Sequence, residues 1–316
     1  MSRIFRLLYC TRVALCPAKR RMLPIDLEGQ PAANLIANKL LCSEPCMIGR
    51  WGATELAGIL SVRDVHDMRS IWLKRWKVIA GEMRAATRWS PRIRRDMATA
   101  SGFFPLTDKA FGRFADLMER DARELDVLGS WLAEEVRVRH FFPHATIVDI
   151  RDLRPEQNDP SWSKSLTGKR VLVVHPFQES IRSQYAKRAL LFPGRDVLPE
   201  FELLTFRAVQ TLGGHSDRFE SWFEALDWMC GEIDKIDYDV AIIGAGAYGF
   251  PLAAHIKRSG KKAVHLGGAT QIMFGIMGKR WESDVTLKPF VSAHWTRPLP
   301  SETPSAAKGV EDGCYW

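Results

Sequence analysis

The sequence predicts an α/β protein, a Rossmann-like doubly wound, mostly parallel sheet with a helical middle segment. Three observations carry this expectation. Continuous apolar runs such as KRVLVVH (169–175) and DVAII (239–243) have the composition of strands buried on both faces. From about residue 146 such runs alternate with helical stretches, the order of a parallel sheet covered on both sides. Glycine-rich or proline-marked turns end the strands at His175-Pro176, Gly244 to Gly249 and Gly267-Gly268, at the edge where these sheets bind ligands.

Taken in chain order, a first helix is expected over Pro31 to Leu41, then a strand over Cys46 to Gly49 and a sharp turn at Arg50-Trp51-Gly52. Thr54 to Leu60 is expected as helix, so residues 46–60 form a strand, turn and helix start suited to an anion. Phe111, Phe114, Met118, Leu125 and Leu128 recur at helical spacing, with Thr107 or Asp108 as cap and Trp131, Leu132 and Val136 continuing the run. These aromatics are expected in the core. ATIVDI is a short strand, and KRVLVVH leads through Pro176 to Ser180 into a helix over Ile181 to Leu190. Glu202 to Val209 is a further strand, and Ser216 to Ile236 a long helix. The last unit, VAIIGAGAYGFPLAAHIKRSGKKAVHLGG, is strand, glycine turn, helix and strand. After Trp281 the chain turns Pro- and Ser-rich. The expected division is a basic N-terminal tail or interfacial helix over 1–29, one α/β domain over 30–285 with a helical insertion at about 66–143, and a C-terminal tail over 286–316.

Of the 316 residues, 46% are hydrophobic and 26% charged, which suits a globular chain with one large core or two modest ones. The net charge of +8 is local: six of the 45 basic residues precede Asp26, leaving 39 against 37 acidic ones. That near-neutral body argues against nucleic acid as a partner. A second basic stretch, residues 69–95 with Trp72, Trp76 and Trp89, reads as an amphipathic helix with solvated Arg and Lys, or as a surface for polyanions. Six scattered cysteines without a C-x-x-C pair point to a reducing compartment and away from structural zinc. No apolar run reaches the roughly 20 residues a membrane span needs. A cytoplasmic protein is expected, with the basic N-terminus available for peripheral contact with anionic membrane.

Gly244-x-Gly246-x-x-Gly249 satisfies the dinucleotide fingerprint, between a strand and a helix. Its glycines allow a tight turn and close approach of a phosphate. The acid that would hold the ribose is missing, because the second strand ends in His265-Leu266-Gly267-Gly268. The motif also comes late, after three strands of the same sheet. No dinucleotide is therefore expected, and a mononucleotide or its diphosphate suits the turns better.

Residues 46–60 and 240–281 together resemble the bacterial glycosyltransferases of the GT-D fold, the former DUF1792 group. That family carries an early R-[FY]-G-D-G-E segment with its Asp-x-Glu motif, a helical middle and a C-terminal α/β half. Here the segment is Arg50-Trp51-Gly52-Ala53-Thr54-Glu55, and GFFP (Gly102 to Pro105) and LDVLGSW (Leu125 to Trp131) are also similar. The likeness spans roughly residues 30–285. It implies transfer of a sugar from a nucleoside-diphosphate donor to an unspecified glycan or lipid-linked acceptor, in polysaccharide or glycoconjugate synthesis. It also implies a divalent metal, Mn²⁺ or Mg²⁺, on the paired carboxylates. Ala53 stands where the family has Asp, which leaves Glu55, with Asp149 or Asp152 as replacements or as a solvated loop.

The candidate site residues follow. Glu55 and Arg50 are catalytic candidates, or else a structural ion pair. Gly52, His175, Gly244, Gly246, Tyr248, Gly249, Gly267, Gly268 and Gln271 are nucleotide or phosphate candidates. Tyr248 could stack on a base or pack helix against sheet, and His175 could face the crevice or the core. Two other functions stay open: an NAD(P)- or flavin-dependent oxidoreductase, and a non-catalytic nucleotide-sugar-binding protein.

Overall fold

The computed structural model describes residues 22–66, 91–211, 215–303 and 313–316. The expected N-terminal tail up to residue 21 and most of the tryptophan-bearing basic stretch lie outside the described residues. Seven parallel strands form one sheet: β1 (Cys46–Gly49), β2 (Val127–Ser130), β3 (Thr146–Asp149), β4 (Arg170–Val174), β5 (Glu202–Phe206), β6 (Val240–Ile243) and β7 (Lys262–His265), in the spatial order β3-β2-β1-β7-β6-β4-β5. The Rossmann-like α/β expectation is met. β1, β2, β6 and nearly all of β4 and β7 are buried throughout, as strands covered on both faces must be.

Helices α1 (Gln30–Leu41), α2 (Ala53–His66), α3 (Pro91–Thr99), α4 (Asp108–Ala122), α5 (Gln178–Tyr185), α6 (Arg188–Leu191), α7 (Trp222–Ile233), α8 (Gly249–Arg258) and α9 (Ala269–Met273) cover the sheet. One face carries α2, α4, α7 and α8, whose inward aromatics Phe111, Phe114 and Trp222 meet Phe103 of the GFFP loop at ring separations of 5.0, 5.1 and 5.7 Å. The other face carries α1, α5, α6 and the residues after β7. Thr107 caps α4, its side chain accepting from Ala110 N, and Ser221 rather than Ser216 caps α7.

Two expectations are corrected here. The helical run expected from residue 107 to 136 ends at Ala122, and Val127–Ser130 forms β2, paired with both β1 and β3. Leu125 and Leu128 are buried in either arrangement, so their spacing matched a helix while a short apolar run was supplying a strand. The segment after Trp281 returns to the body instead of trailing away. Glu302, 4% exposed, accepts from the Glu179 and Ser180 backbone N–H groups and so caps α5 from over 120 residues away.

The four central strands hand the chain to opposite faces in turn. β1 and β6 lead into α2 and α8 on one face, whereas β4 and β7 lead into α5 and α9 on the other. Since the spatial order is β1-β7-β6-β4, each neighbouring pair diverges at its carboxyl end, and a crevice opens there. Among the described residues no helix is long and apolar enough to cross a membrane.

Candidate functional site at the carboxyl edge of the sheet

The turn after β1 is held by Trp51, which is fully buried and stacked on Phe250 of α8 at 4.3 Å. The Trp51 carbonyl accepts from Arg50 Nε at 3.1 Å, Arg50 Nη2 at 2.9 Å and Trp131 Nε1 at 3.0 Å. These bonds aim the Arg50 guanidinium across the strand ends, 4.6 Å over the Trp131 ring. Burial pulls Arg50 below its ordinary range, partly offset by Glu55. A Cβ on Gly52 would lie 1.7 Å from Glu55 Oε2, so any side chain there would displace the Glu55 carboxylate. The other Glu55 oxygen accepts from Ser101 Oγ at 2.7 Å, in the loop anchored by GFFP. Among the described residues Arg50 and Glu55 form no ion pair, with each other or elsewhere, so the structural-pair alternative does not hold.

At β4, β6 and β7 the strand ends close on one point. A Cβ on Gly244 would lie 2.5 Å from His175 Cδ2, 2.7 Å from Thr270 Oγ1 and 2.8 Å from Gly267 O. His175 Nδ1 accepts from Phe177 N at 3.0 Å, which puts the ring proton on Nε2 and makes that atom a donor at the crevice. Burial holds His175 down to about 3, so it is neutral at physiological pH. His265 is likewise held to about 3, mainly by burial and then by Arg50.

Two nucleotide candidates are tied into the packing. Tyr248 lines the first lobe, yet it is buried and stacked at 4.7 Å on Trp222, with its hydroxyl bonded to Thr211 Oγ1 at 2.9 Å. Gly249 lets α8 pack on β7, since a Cβ there would lie 2.2 Å from the His265 ring. Gly249 is the third glycine of the fingerprint and Tyr248 one of its unrestricted positions, and the sequence could not show which atoms either meets. Asp149 and Asp152 also fall elsewhere. Asp149 is paired with Arg151 at 2.9 Å, and Asp152 accepts from Gly29 N and Asn158 Nδ2, beyond β2 at the far edge of the sheet.

Gly244, Gly246, Gly267, Gly268, His175 and Gln271 share one lobe of the crevice. Arg50, Gly52, Glu55, Trp131, His265 and Arg280 line a second. The lobes have Ala100, Gly246, Ala247, Gly267, Gly268 and Tyr315 in common, so the glycine turns border a single crevice facing Arg50 and Glu55. Comparison with family models, curated proteins and solved structures returns no match. The GT-D likeness therefore rests on its motifs.

Three features escaped the sequence. Trp131, expected in the core, is 38% exposed and walls the second lobe. Glu135 is fully buried, accepts from Ser130 Oγ and Trp131 N, and is pushed by burial up to about 7. Its signal, an acid four residues past a strand-end tryptophan, was hidden by reading the stretch as helix. Residues 313–316 seal one side: Gln271 Nε2 donates to Tyr315 O at 2.8 Å, and Trp316 packs on Phe177 at 5.9 Å. Gln271 Oε1 and Thr270 Oγ1, both fully buried, have no hydrogen-bond partner among the described residues.

The metal that the resemblance implies does not fit these residues. Among the described residues Glu55 is the one acid lining either lobe, and half of its carboxylate is engaged by Ser101. Among the described residues no three His, Cys, Asp or Glu side chains converge to hold an ion. Mg²⁺ and Mn²⁺ favour several oxygen ligands, and one shared carboxylate supplies few.

The buried histidines and Glu135 predict a pH dependence of stability. His175 and His265 fold at about 3 against about 6.5 unfolded, so the unfolded chain takes up protons first and stability falls as pH drops from about 6.5 toward 3. Each histidine withdraws about 2 kcal/mol between pH 7 and 5. Glu135 works in the opposite sense, since its raised value stabilises the native state below about 7. Urea unfolding at pH 7 and 5 should show a net loss in acid, and a loss larger by about 2 kcal/mol in Glu135→Gln. Equal losses in the two proteins would contradict this account.

Proposed function

We propose that this chain is a glycosyltransferase, moving a sugar from a nucleoside-diphosphate donor to a hydroxyl acceptor. The observation that carries the reading is the convergence of the Gly244–Gly246 and Gly267–Gly268 turns with Arg50 and Glu55 on one two-lobed crevice. In it, the nucleoside enters the lobe lined by His175, with its Nε2 donor, and Gln271. The diphosphate lies across the glycine turns, and the sugar faces Trp131 and Glu55. Chemically, the acceptor oxygen bonds to the sugar's anomeric carbon, the bond from that carbon to the phosphate oxygen breaks, and the nucleoside diphosphate leaves with the electron pair. Glu55 takes the acceptor's proton, as a general base placed beside the reacting sugar.

The test is a thermal-shift series with UDP, GDP, NAD and FAD, followed by hydrolysis of UDP- and GDP-sugars without acceptor. Stabilisation by a nucleoside diphosphate together with slow release of sugar supports the reading. Stabilisation by NAD or FAD alone would replace it with the oxidoreductase reading, for which the fingerprint turn between β6 and α8 is the supporting observation.

A further inference from the structure

The second lobe contains two guanidinium groups where the resembled family places a metal ion. Arg50 Nη1 lies 3.4 Å from where a Cβ on Gly267 would stand, and Arg280 Nη1 lies 3.5 Å from the same position on Gly268. The two cations thus bracket one pair of glycines. They are close enough for Arg280 to pull Arg50 further below its ordinary range. Arg50 is half-buried and, among the described residues, has no carboxylate within 4.0 Å, while Glu55 acts on it only at longer range. Its Nε and Nη2 are tied to Trp51 O, so the fork is oriented before any ligand arrives, with Nη1 directed to the turn. Between the cations the Gly268 N–H has no acceptor among the described residues.

A guanidinium held in a partly desolvated crevice with no carboxylate beside it, as Arg50 is among the described residues, favours a bound anion. A guanidinium presents a planar fork of donors that matches phosphate oxygens, and it needs no carboxylate cage. We propose that Arg50 and Arg280, with the Gly268 N–H, hold the diphosphate of the donor and carry its charge as it leaves, with no divalent metal required. The inference rests on the glycosyltransferase reading and replaces one of that family's implied parts. Ala53 then has a physical place: α2 begins there without a carboxylate that would repel the same phosphates.

Calorimetric titration of the full chain with UDP, GDP, UMP and GMP, in EDTA and again with Mn²⁺, tests the inference. A nucleoside diphosphate should bind in EDTA with a Kd within about threefold of that in Mn²⁺. Arg280→Ala and Arg50→Lys should each weaken it about tenfold or more, and weaken the monophosphate less. Arg280 is exposed, so its variant tests the idea even if Arg50→Lys disturbs the turn; both are checked by melting temperature. Diphosphate binding that EDTA abolishes would overturn the metal-free inference and leave the glycosyltransferase reading standing. Binding unchanged in Arg280→Ala would also overturn it, and no diphosphate binding under any condition would overturn both.

Discussion

Glu55→Gln is expected to lower transfer by about 10² to 10⁴-fold while leaving donor affinity within a few-fold of the wild type. The reasoning starts from Ser101, whose hydroxyl donates to Glu55 Oε1 at 2.7 Å. A glutamine carbonyl still accepts that bond, so the side chain stays in place over Gly52. What is lost is the negative charge and the capacity to take a proton. If Glu55 merely fixed the Ser101 loop, Gln would be nearly silent and Ala would be the damaging change. If it is the base, Gln and Ala are both inactive, and only Asp, with the carboxylate withdrawn by one methylene, retains partial activity. The measurement is kcat and KM for donor hydrolysis and for transfer, with donor Kd measured separately. A Gln variant that keeps kcat would remove Glu55 from the chemistry.

The sheet was legible because its strands are buried on both faces, and continuous apolar runs such as VLVV and VAII are hard to build otherwise. The glycine turns were legible for a related reason. Strand, glycine and helix in succession mark the edge at which a doubly wound sheet opens, wherever the chemistry lies. β2 was not legible, since Leu125, Leu128 and the aromatics before them satisfy helical spacing and burial at once. Losing β2 also concealed Trp131 and Glu135, whose positions depend on where that strand ends. Tyr248 shows a second kind of limit. A tyrosine in a glycine turn can face a ligand or the core, and here its ring and hydroxyl are held by Trp222 and Thr211, each more than 20 residues away. The closure of the crevice by residues 313–316 was beyond any local pattern, because it joins Gln271 and Phe177 to a short segment far along the chain.

Among these glycines, Gly244→Ala should have the largest effect, on stability and ligand binding together. The added methyl meets His175, Thr270 Oγ1 and the Gly267 carbonyl at 2.5 to 2.8 Å, and neither the histidine ring nor the carbonyl can swing away. His175 is pinned by Phe177 N. Gly244 N donates to Val174 O at 2.9 Å, and Leu266 N and Gly267 N both donate to Ile243 O. Making room therefore means parting the ends of β4, β6 and β7, at a cost of about 1 to 3 kcal/mol for overpacking. That movement also displaces the Gly267–Gly268 turn from Arg50, so nucleoside-diphosphate binding should fall about tenfold or more. Gly246→Ala should lose binding by a different route. Its φ of +53° strains an alanine by about 1 kcal/mol, and nothing lies within 4 Å of the new methyl, so the strand ends stay together while the methyl stands in the crevice. Urea midpoints and UDP or GDP titrations on both variants should show binding impaired in each and the larger loss of stability in Gly244→Ala. Equal affinity in Gly244→Ala and wild type would mean that the ligand does not cross the junction of these three strands.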